Sequence, residues 1–371
     1  MRKSATGVGL VPTVAIPRIL TLKHPEGTDQ TEMAGIKDVA RMAGVSTATA
    51  SRALTGSGSV AEATRQRVRD AAQALGYVAD SDASSLASGR TRNVGLVTPT
   101  VHRWFFAAVL EGAAHELVTR GYDLTLYDAG QSPDHRTTIF SDLLRRRRLD
   151  GLITVSFKLS AFELAGMERL GRPLVAVGGR VGTQESLPEW FTALQVDHAA
   201  LARMATQHLL DLGHRDIAYL GRVDEDIEFQ VSTERTRGFL QSMARAGLQV
   251  PAPWMVDADF TTGGAFHQVR ELLADPSHRP TAVLCISDEM AIGAYMAALS
   301  LGLDVPGDLS IMGLDGHPDT ARLGLSTVDQ APVEQGRRAA RLVLEALDGG
   351  HAPQRISHHL ALRQRDSTGP P

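Results

Sequence analysis

Apolar positions along the chain follow two different rhythms. Between Ile36 and Gly76 they recur at helical spacing: Ile36, Val39, Ala40 and Ala43, then Ala50, Ala53 and Leu54, then Val68, Ala71, Ala72 and Leu75. Gly44 is expected to end the first helix. Ser46 is placed to cap a second over Thr47–Leu54, and Gly76 to stop a third over residues 62–75. Three short helices with a tight Ala-Gly-Val-Ser turn between the first two make a helix-turn-helix unit. Residues 80–93 are small and polar, the composition of a linker. Within them, residues 82–87 could form one or two helical turns capped by Asp80 or Ser81. From Val94 onward strand-like and helix-like runs alternate. Strands are predicted at 94–97, 123–127, 151–155, 174–177, 217–220, 282–286 and 310–314, and helices at 105–120, 199–212, 235–246 and 289–301. Such βαβ repetition implies parallel sheets with helices on both faces. Seven or more strands are too many for one comfortable sheet. Two α/β lobes are the simpler solution, with a ligand cleft at the carboxyl ends of the strands.

Composition narrows this picture. The chain has 371 residues, 43% hydrophobic and 22% charged, as in ordinary globular proteins, and its length suggests two or three domains. No run of eighteen apolar residues is present, so no membrane partner is expected. The single cysteine, Cys285, excludes an intrachain disulfide framework and a multi-cysteine zinc site, and it fits a reducing cytoplasm. The net charge is -4, yet residues 36–79 carry six cations (Lys37, Arg41, Arg52, Arg65, Arg67, Arg69) against three anions (Asp38, Glu62, Asp70). A small basic module on an acidic body points to nucleic acid. Residues 1–32 carry no periodic pattern. Pro12 and Pro17 break the one apolar run that imitates a signal peptide. Met33-Ala34-Gly35 reads like a start, so residues 1–34 are expected to be a dispensable extension.

The segment from Ile36 to Leu54, with Thr64-Arg65, Val68, Ala71-Ala72 and Leu75-Gly76-Tyr77, resembles the headpiece of the LacI/GalR family of transcriptional regulators. The resemblance continues in order to residue 368. It runs through Phe105-Phe106, Arg120-Gly121-Tyr122, Asp150-Gly151, His208 to Arg215, Arg235 to Phe239, Ser287-Asp288, Ser310 to Asp315 and Leu362 to Thr368. It implies an α plus α/β fold: a three-helix headpiece over 35–79, a hinge over 80–93, and two periplasmic-binding-protein-like lobes with parallel sheets. The first lobe is expected over 94–211 with 330–349, the second over 212–329 with 350–368. Three strands should cross between them near 211–214, 328–330 and 349–352. The resemblance also implies a cytoplasmic, nucleoid-associated homodimer, acting as a repressor on a pseudo-palindromic double-stranded DNA operator.

In a helix-turn-helix the second helix enters the major groove and its N-terminal residues reach base edges. Those residues are Thr47, Ala48 and Arg52, the arginine being able to bond guanine O6 and N7 together. Ser46, Thr49, Ser51, Thr55 and Thr64 are placed for phosphate contacts. Ala61 stands where family members have serine, which weakens the third helix's cap. The linker keeps the alanine and leucine of the family hinge as Ala83 and Leu86, Leu86 being the apolar wedge for the minor groove. Asp80 and Asp82 oppose binding. Ala48, Arg52 and Leu86 accompany CG-centred operators in similar proteins.

For the cleft, the resemblance assigns Arg235 to effector oxygens, Asp315 to ligand hydroxyls and Phe260 to a sugar face. Ser287 and Asp288 lie at the cleft edge. Arg103-Trp104-Phe105-Phe106 stands where Asn-Pro-Phe-Phe is frequent. Aromatic groups beside arginine suit a carbohydrate effector; Phe106 is expected in the core, and Asp197 is a further candidate. Arg145 to Arg148 reads as a solvated helix end. His351, His358 and His359 have no matching metal-ligand set, and Gly178 to Gly182 lacks nucleotide-loop spacing. No catalytic motif is present, so no cofactor, metal or enzymatic activity is expected. A sugar-binding transport protein and an enzyme on a Rossmann-like scaffold are the competing readings.

Overall fold

The computed structural model describes residues 34–55, 59–77, 90–130, 132–146, 148–157, 159–178, 190–221, 230–350 and 354–371. The chain divides into two compact units, Met1–Ser84 and Ser85–Pro371. The N-terminal extension, the hinge helix, and with them Ala83 and Leu86, lie outside the described residues.

In the first unit, α1 (Ile36–Ala43), α2 (Thr47–Thr55) and α3 (Glu62–Ala74) follow the predicted periodicity. At the start of α1 the Gly35 amide donates to Asp38 Oδ2 at 3.0 Å. Gly44 ends that helix in the left-handed region at φ 65°, its amide turned back to Ala40 and Arg41. The core is built from Val39, Val68 and six alanines. Side chains this small let three short helices approach closely, which a unit of this size needs to bury enough surface. Ala61 heads α3 with no side-chain cap, as its missing hydroxyl dictates.

The second unit contains two six-stranded sheets of one plan. In the first the order is β11-β5-β4-β3-β1-β2, and in the second β12-β10-β9-β8-β6-β7. The first comprises β1 (Asn93–Thr98), β2 (Asp123–Asp128), β3 (Gly151–Val155), β4 (Leu174–Val177), β5 (Phe191–Gln195) and β11 (Arg355–Ser357). The second comprises β6 (Ile217–Leu220), β7 (Met255–Val256), β8 (Ala282–Cys285), β9 (Ser310–Asp315), β10 (Ser326–Asp329) and β12 (Ala361–Arg363). All pairings are parallel except β10 with β12. The central strands are buried along their whole length, so they read as continuous apolar runs and not as alternation. Helices α4 (Trp104–Thr119), α5 (Pro133–Arg146), α6 (Ala161–Leu170), α7 (His198–Asp211), α8 (Gln230–Arg245), α9 (Thr262–Leu272), α10 (Asp288–Ser300), α11 (Pro318–Arg322) and α12 (Pro332–Leu347) complete the unit.

Two boundaries differ from the sequence expectation. Helix α7, assigned above to the first lobe, contributes Leu201, Ala205, Leu209 and Leu210 to the core of the second. It is fixed there by α8: a Cβ on Gly238 would lie 2.3 Å from the Ala199 carbonyl oxygen, so the two backbones touch. The first crossing therefore falls between β5 and α7, near residues 196–197, and not at 211–214. Residues 355–357, assigned to the second lobe, pair with β5 of the first sheet, which moves the third crossing to 358–360. The second crossing lies at 330–331, between β10 and α12. Helix α12 returns to the first lobe and packs on α4 through two glycines. A Cβ on Gly112 would sit 1.9 Å from the Val333 carbonyl, and one on Gly336 would sit 1.9 Å from that of Val109.

Candidate functional sites

On the headpiece, the inner face of α2 carries Ala50 and Ala53, and this leaves Thr47, Ala48 and Arg52 exposed on the opposite side. Ser46 accepts the Thr49 amide at 3.1 Å, with the two hydroxyl oxygens 2.9 Å apart, and so starts the helix. Arg52 Nε donates to the Ala48 carbonyl at 3.2 Å, which lays the guanidinium stem along the exposed face. Ser51 and Thr64 are half-buried, and Thr55 is the last residue of α2. Arg41 pairs with Asp38, while Arg65 and Arg69 pair with Glu62. Among the described residues no ion pair holds Lys37, Arg52 or Arg67, so these cations remain available to phosphate or base.

In the second unit the carboxyl ends of β8 and β9, the start of α10 and the start of α4 converge. Arg235, on α8 and only 3% exposed, donates from Nη2 to Asp315 Oδ1 at 2.9 Å and from Nη1 to the Ile286 carbonyl. The same carboxylate oxygen accepts from Gln330 Nε2 at 2.6 Å, at the second crossing. Asp315 adopts φ 123°, beyond the left-handed region that aspartate favours, and such strained backbone collects at functional sites. Burial pushes its carboxyl upward against the pull of Arg235.

The first lobe reaches across to this group. The Arg103 guanidinium lies over the Phe260 ring, 3.9 Å from its centre. The Trp104 ring is 4.5 Å from that of His317 and tilted by 50°. The Trp104 amide donates to Glu289 Oε1 at 3.4 Å. Burial raises the Glu289 carboxyl and lowers the Arg103 guanidinium. Arg103 and Arg235 thus face Asp315 and Glu289, with Asp259 and Asp288 adding further carboxylates nearby, beside the rings of Trp104 and Phe260. The arrangement matches a polar molecule without net charge: fork-like donors and carboxylate acceptors for hydroxyl groups, and rings for an apolar face.

A family model for bacterial regulatory proteins of the lacI family matches residues 35–80. One for a periplasmic binding protein-like domain matches residues 206–368. The HTH-type transcriptional repressor PurR of Escherichia coli is 32% identical over 340 residues, covering 90% of this chain and 97% of the relative. The chain belongs to the lacI family of bacterial regulatory proteins. Among solved structures, the transcriptional regulator CelR–cellobiose complex is 27% identical over 90% of this chain and all of the other, with a TM-score of 0.64. The Lac repressor dimer bound to operator and the anti-inducer ONPF is 25% identical, covering 91% of this chain and 99% of that one, with a TM-score of 0.76. This lacI-family protein is accordingly a DNA-binding, ligand-responsive regulator of transcription, and the relatives it matches are regulators and not enzymes. Among its described residues no helix is long and apolar enough to cross a membrane, and no cluster could hold a metal ion.

Of the cleft residues expected in this regulator, Arg103, Trp104, Arg235, Phe260 and Asp315 come together. Phe105 does not join them: it is half-buried against the first-lobe core, in which Phe106 lies. Three others serve the backbone. Asp197 accepts the Ala200 amide at 2.7 Å as the cap of α7, and Ser287 accepts the Met290 amide as the cap of α10. Asp288 turns inward: Oδ2 accepts the amides of Gly316 and His317, each at 2.7 Å, and so fixes the loop after Asp315. Glu289, His317 and Gln330 were not anticipated. Nothing in their spacing marks them: Glu289 and His317 acquire their place when Trp104 of the first lobe meets them, and Gln330 when β10 pairs with β9. Several residues of the matching motifs anchor the chain end. His208 reaches Thr368, His214 reaches Thr281 and the Gly369 carbonyl, and Ser326 pairs with Ser367.

Proposed function

We propose that this protein is a cytoplasmic repressor that binds a pseudo-palindromic, CG-centred operator as a homodimer and releases it when a neutral sugar-like effector enters the cleft. The observation that carries the ligand reading is the Arg235–Asp315 pair on one lobe, faced by Arg103 over Phe260 from the other. With more carboxylates than arginines in the group, it speaks for a neutral polyhydroxy ligand over a phosphorylated one. The relatives support the same class: CelR was solved with cellobiose, and a lacI-family regulator from Enterococcus faecium with ribose. On the headpiece, Thr47, Ala48 and Arg52 read base edges, with Ser46, Thr49, Ser51, Thr55 and Thr64 on phosphates. Ala83 and Leu86 carry the hinge contact.

An effector shifts the equilibrium only by contacting the two states differently. Contacts from both lobes favour the closed cleft, and closure changes the spacing of the two hinges in the dimer. Coupling of about 1–3 kcal/mol corresponds to roughly 5- to 150-fold weaker operator binding. Selection of bound duplexes from a random pool, followed by a screen of neutral sugars for release of the selected DNA, tests the reading. Selected sites without two-fold symmetry, or release by no sugar, would count against it.

A further inference from the structure

His198 opens α7 at the first crossing between the lobes. Its side chain is 5% exposed, the Gly178 backbone is the polar group set against the ring, and neither Nδ1 nor Nε2 makes a well-formed hydrogen bond. A neutral imidazole carries one donor and one acceptor. Leaving either of them buried and poorly matched is costly, and native structures rarely leave such groups without a use. The ring's position says what that use is. On one side α8 presses on α7 where Gly238 meets Ala199, which brings Arg235, one turn earlier on α8, close to His198. On the other side are the carboxyl ends of β3 and β4. A Cβ at Gly178 would lie 4.0 Å from His198 Nε2 and 3.5 Å from Ser156 Oγ. Both of these residues hold left-handed backbone, Gly178 at φ 67° and Ser156 at φ 57°. The imidazole therefore stands between the strand ends of the first lobe and the Arg235–Asp315 pair of the second. Its neighbour Asp197 is turned away to cap the helix.

We propose that His198 is an effector-binding group, taking one hydroxyl at the floor of the cleft beside those held by Arg235 and Asp315. A hydroxyl can donate or accept, so it can pair with whichever ring nitrogen the Gly178 backbone leaves open. Burial and the neighbouring Arg235 charge hold the imidazole neutral, its pKa lowered to about 3. The contact is thus that of an uncharged group with an uncharged ligand. Because the ring lies at the crossing, a hydroxyl seated there touches both lobes, which is the differential contact that closure needs. The inference rests on the sugar-effector reading above.

The test uses the full-length dimer and a calorimetric panel of neutral mono- and disaccharides that includes cellobiose and ribose. With the best-binding sugar, His198→Phe should weaken binding at least tenfold. His198→Gln, which restores a donor and an acceptor, should stay within about threefold. One monodeoxy analogue of that sugar should lose about tenfold against the wild type and nothing further against His198→Phe. In wild-type protein with 15N-labelled histidine, the His198 ring signals should move on adding the sugar, a readout that needs no variant to fold. Undiminished binding by His198→Phe, unchanged deoxy penalties in it, or static ring signals would overturn the proposal and leave the sugar reading standing. If no sugar binds the wild type, both readings fall.

Discussion

Arg103 of the first lobe covers the ring of Phe260 of the second, its guanidinium carbon 3.9 Å from the ring centre. The contact joins the lobes at the mouth of the cleft, with Glu289 and Asp315 close enough to add their charge. A partly desolvated cation over an aromatic ring is worth about 0.5–2 kcal/mol. Phe260→Leu keeps most of the apolar volume and removes the ring face. It should weaken effector binding roughly 2- to 30-fold, and Arg103→Ala should add little once Phe260 is changed. Calorimetry on the two single variants and the double variant checks the coupling; additive losses would show that the pair does not act together.

The Arg235–Asp315 pair is buried on both sides, at 3% and 6% exposure. Removing one partner strands the other's charge, which costs about 3–5 kcal/mol. Arg235→Met should therefore lower the unfolding free energy by that amount and abolish release of operator by the effector. Adding Asp315→Asn removes the stranded charge and keeps the side chain's size and shape. The double variant should regain at least half of the lost stability while remaining unresponsive. Urea unfolding resolves the two steps, and a double variant less stable than Arg235→Met would contradict the assignment.

Two buried groups at the cleft give opposite dependences on pH. Burial and the Asp315 charge push the Asp288 carboxyl up to about 7 from 3.8. Its folded-state pKa is raised, so the folded state holds the proton more tightly, and the resulting stability is lost as pH climbs through 7. His198 is lowered to about 3 from 6.5, so its contribution is present above 6.5 and lost as pH falls. Between pH 5 and 8 each is worth about 2–3 kcal/mol, and in the wild type they oppose each other. Relative to wild type, Asp288→Asn should become steadily less disadvantaged as pH rises from 5 to 8. His198→Gln should show the reverse slope. Chemical denaturation across that range measures both, and parallel curves for the two variants would refute the pairing.

On the headpiece, Arg52 is exposed, unpaired among the described residues, and aligned along α2 by the Ala48 carbonyl. Arg52→Ala should cost about 1–3 kcal/mol of operator affinity and relax preference at one base pair in each half-site. Arg67→Ala, on α3, should weaken all sequences alike and flatten the salt dependence by about one unit per cation. Fluorescence anisotropy with single-base operator variants separates the two behaviours. Uniform loss for Arg52→Ala would remove it from base readout.

Much of this was legible in the chain. Gly44, Ser46 and the alanine stripes place the headpiece helices because capping and periodicity are local. The buried strands β3, β4, β8 and β9 announce themselves as short apolar runs. What failed was non-local. Helix α7 shows one apolar face whichever lobe it joins, so only its contact with Gly238 decides the boundary at 196–197. Strands β11 and β12 are three residues each and owe their existence to edges already formed. Arg235 and Asp315 were marked by resemblance, but Asp288 carries the same chemistry and serves a loop. His198 and Glu289 gain meaning only from what faces them across the cleft.

Helix α12 closes the first lobe only after the second has been passed. Its glycine at 336 locks against the Val109 carbonyl of α4, and Ala339, Ala340 and Val343 fill the core beside Leu96, Ile153 and Val175. On the ribosome, about the first two hundred residues emerge with that core open and must wait for roughly 140 more. At 5–20 residues per second the exposed interval lasts on the order of ten seconds or longer. The second lobe, whose sheet is complete but for β12, can fold during that time and stand as a template when α12 arrives. The half of the molecule that is made first therefore closes its core only after most of the second half has been made.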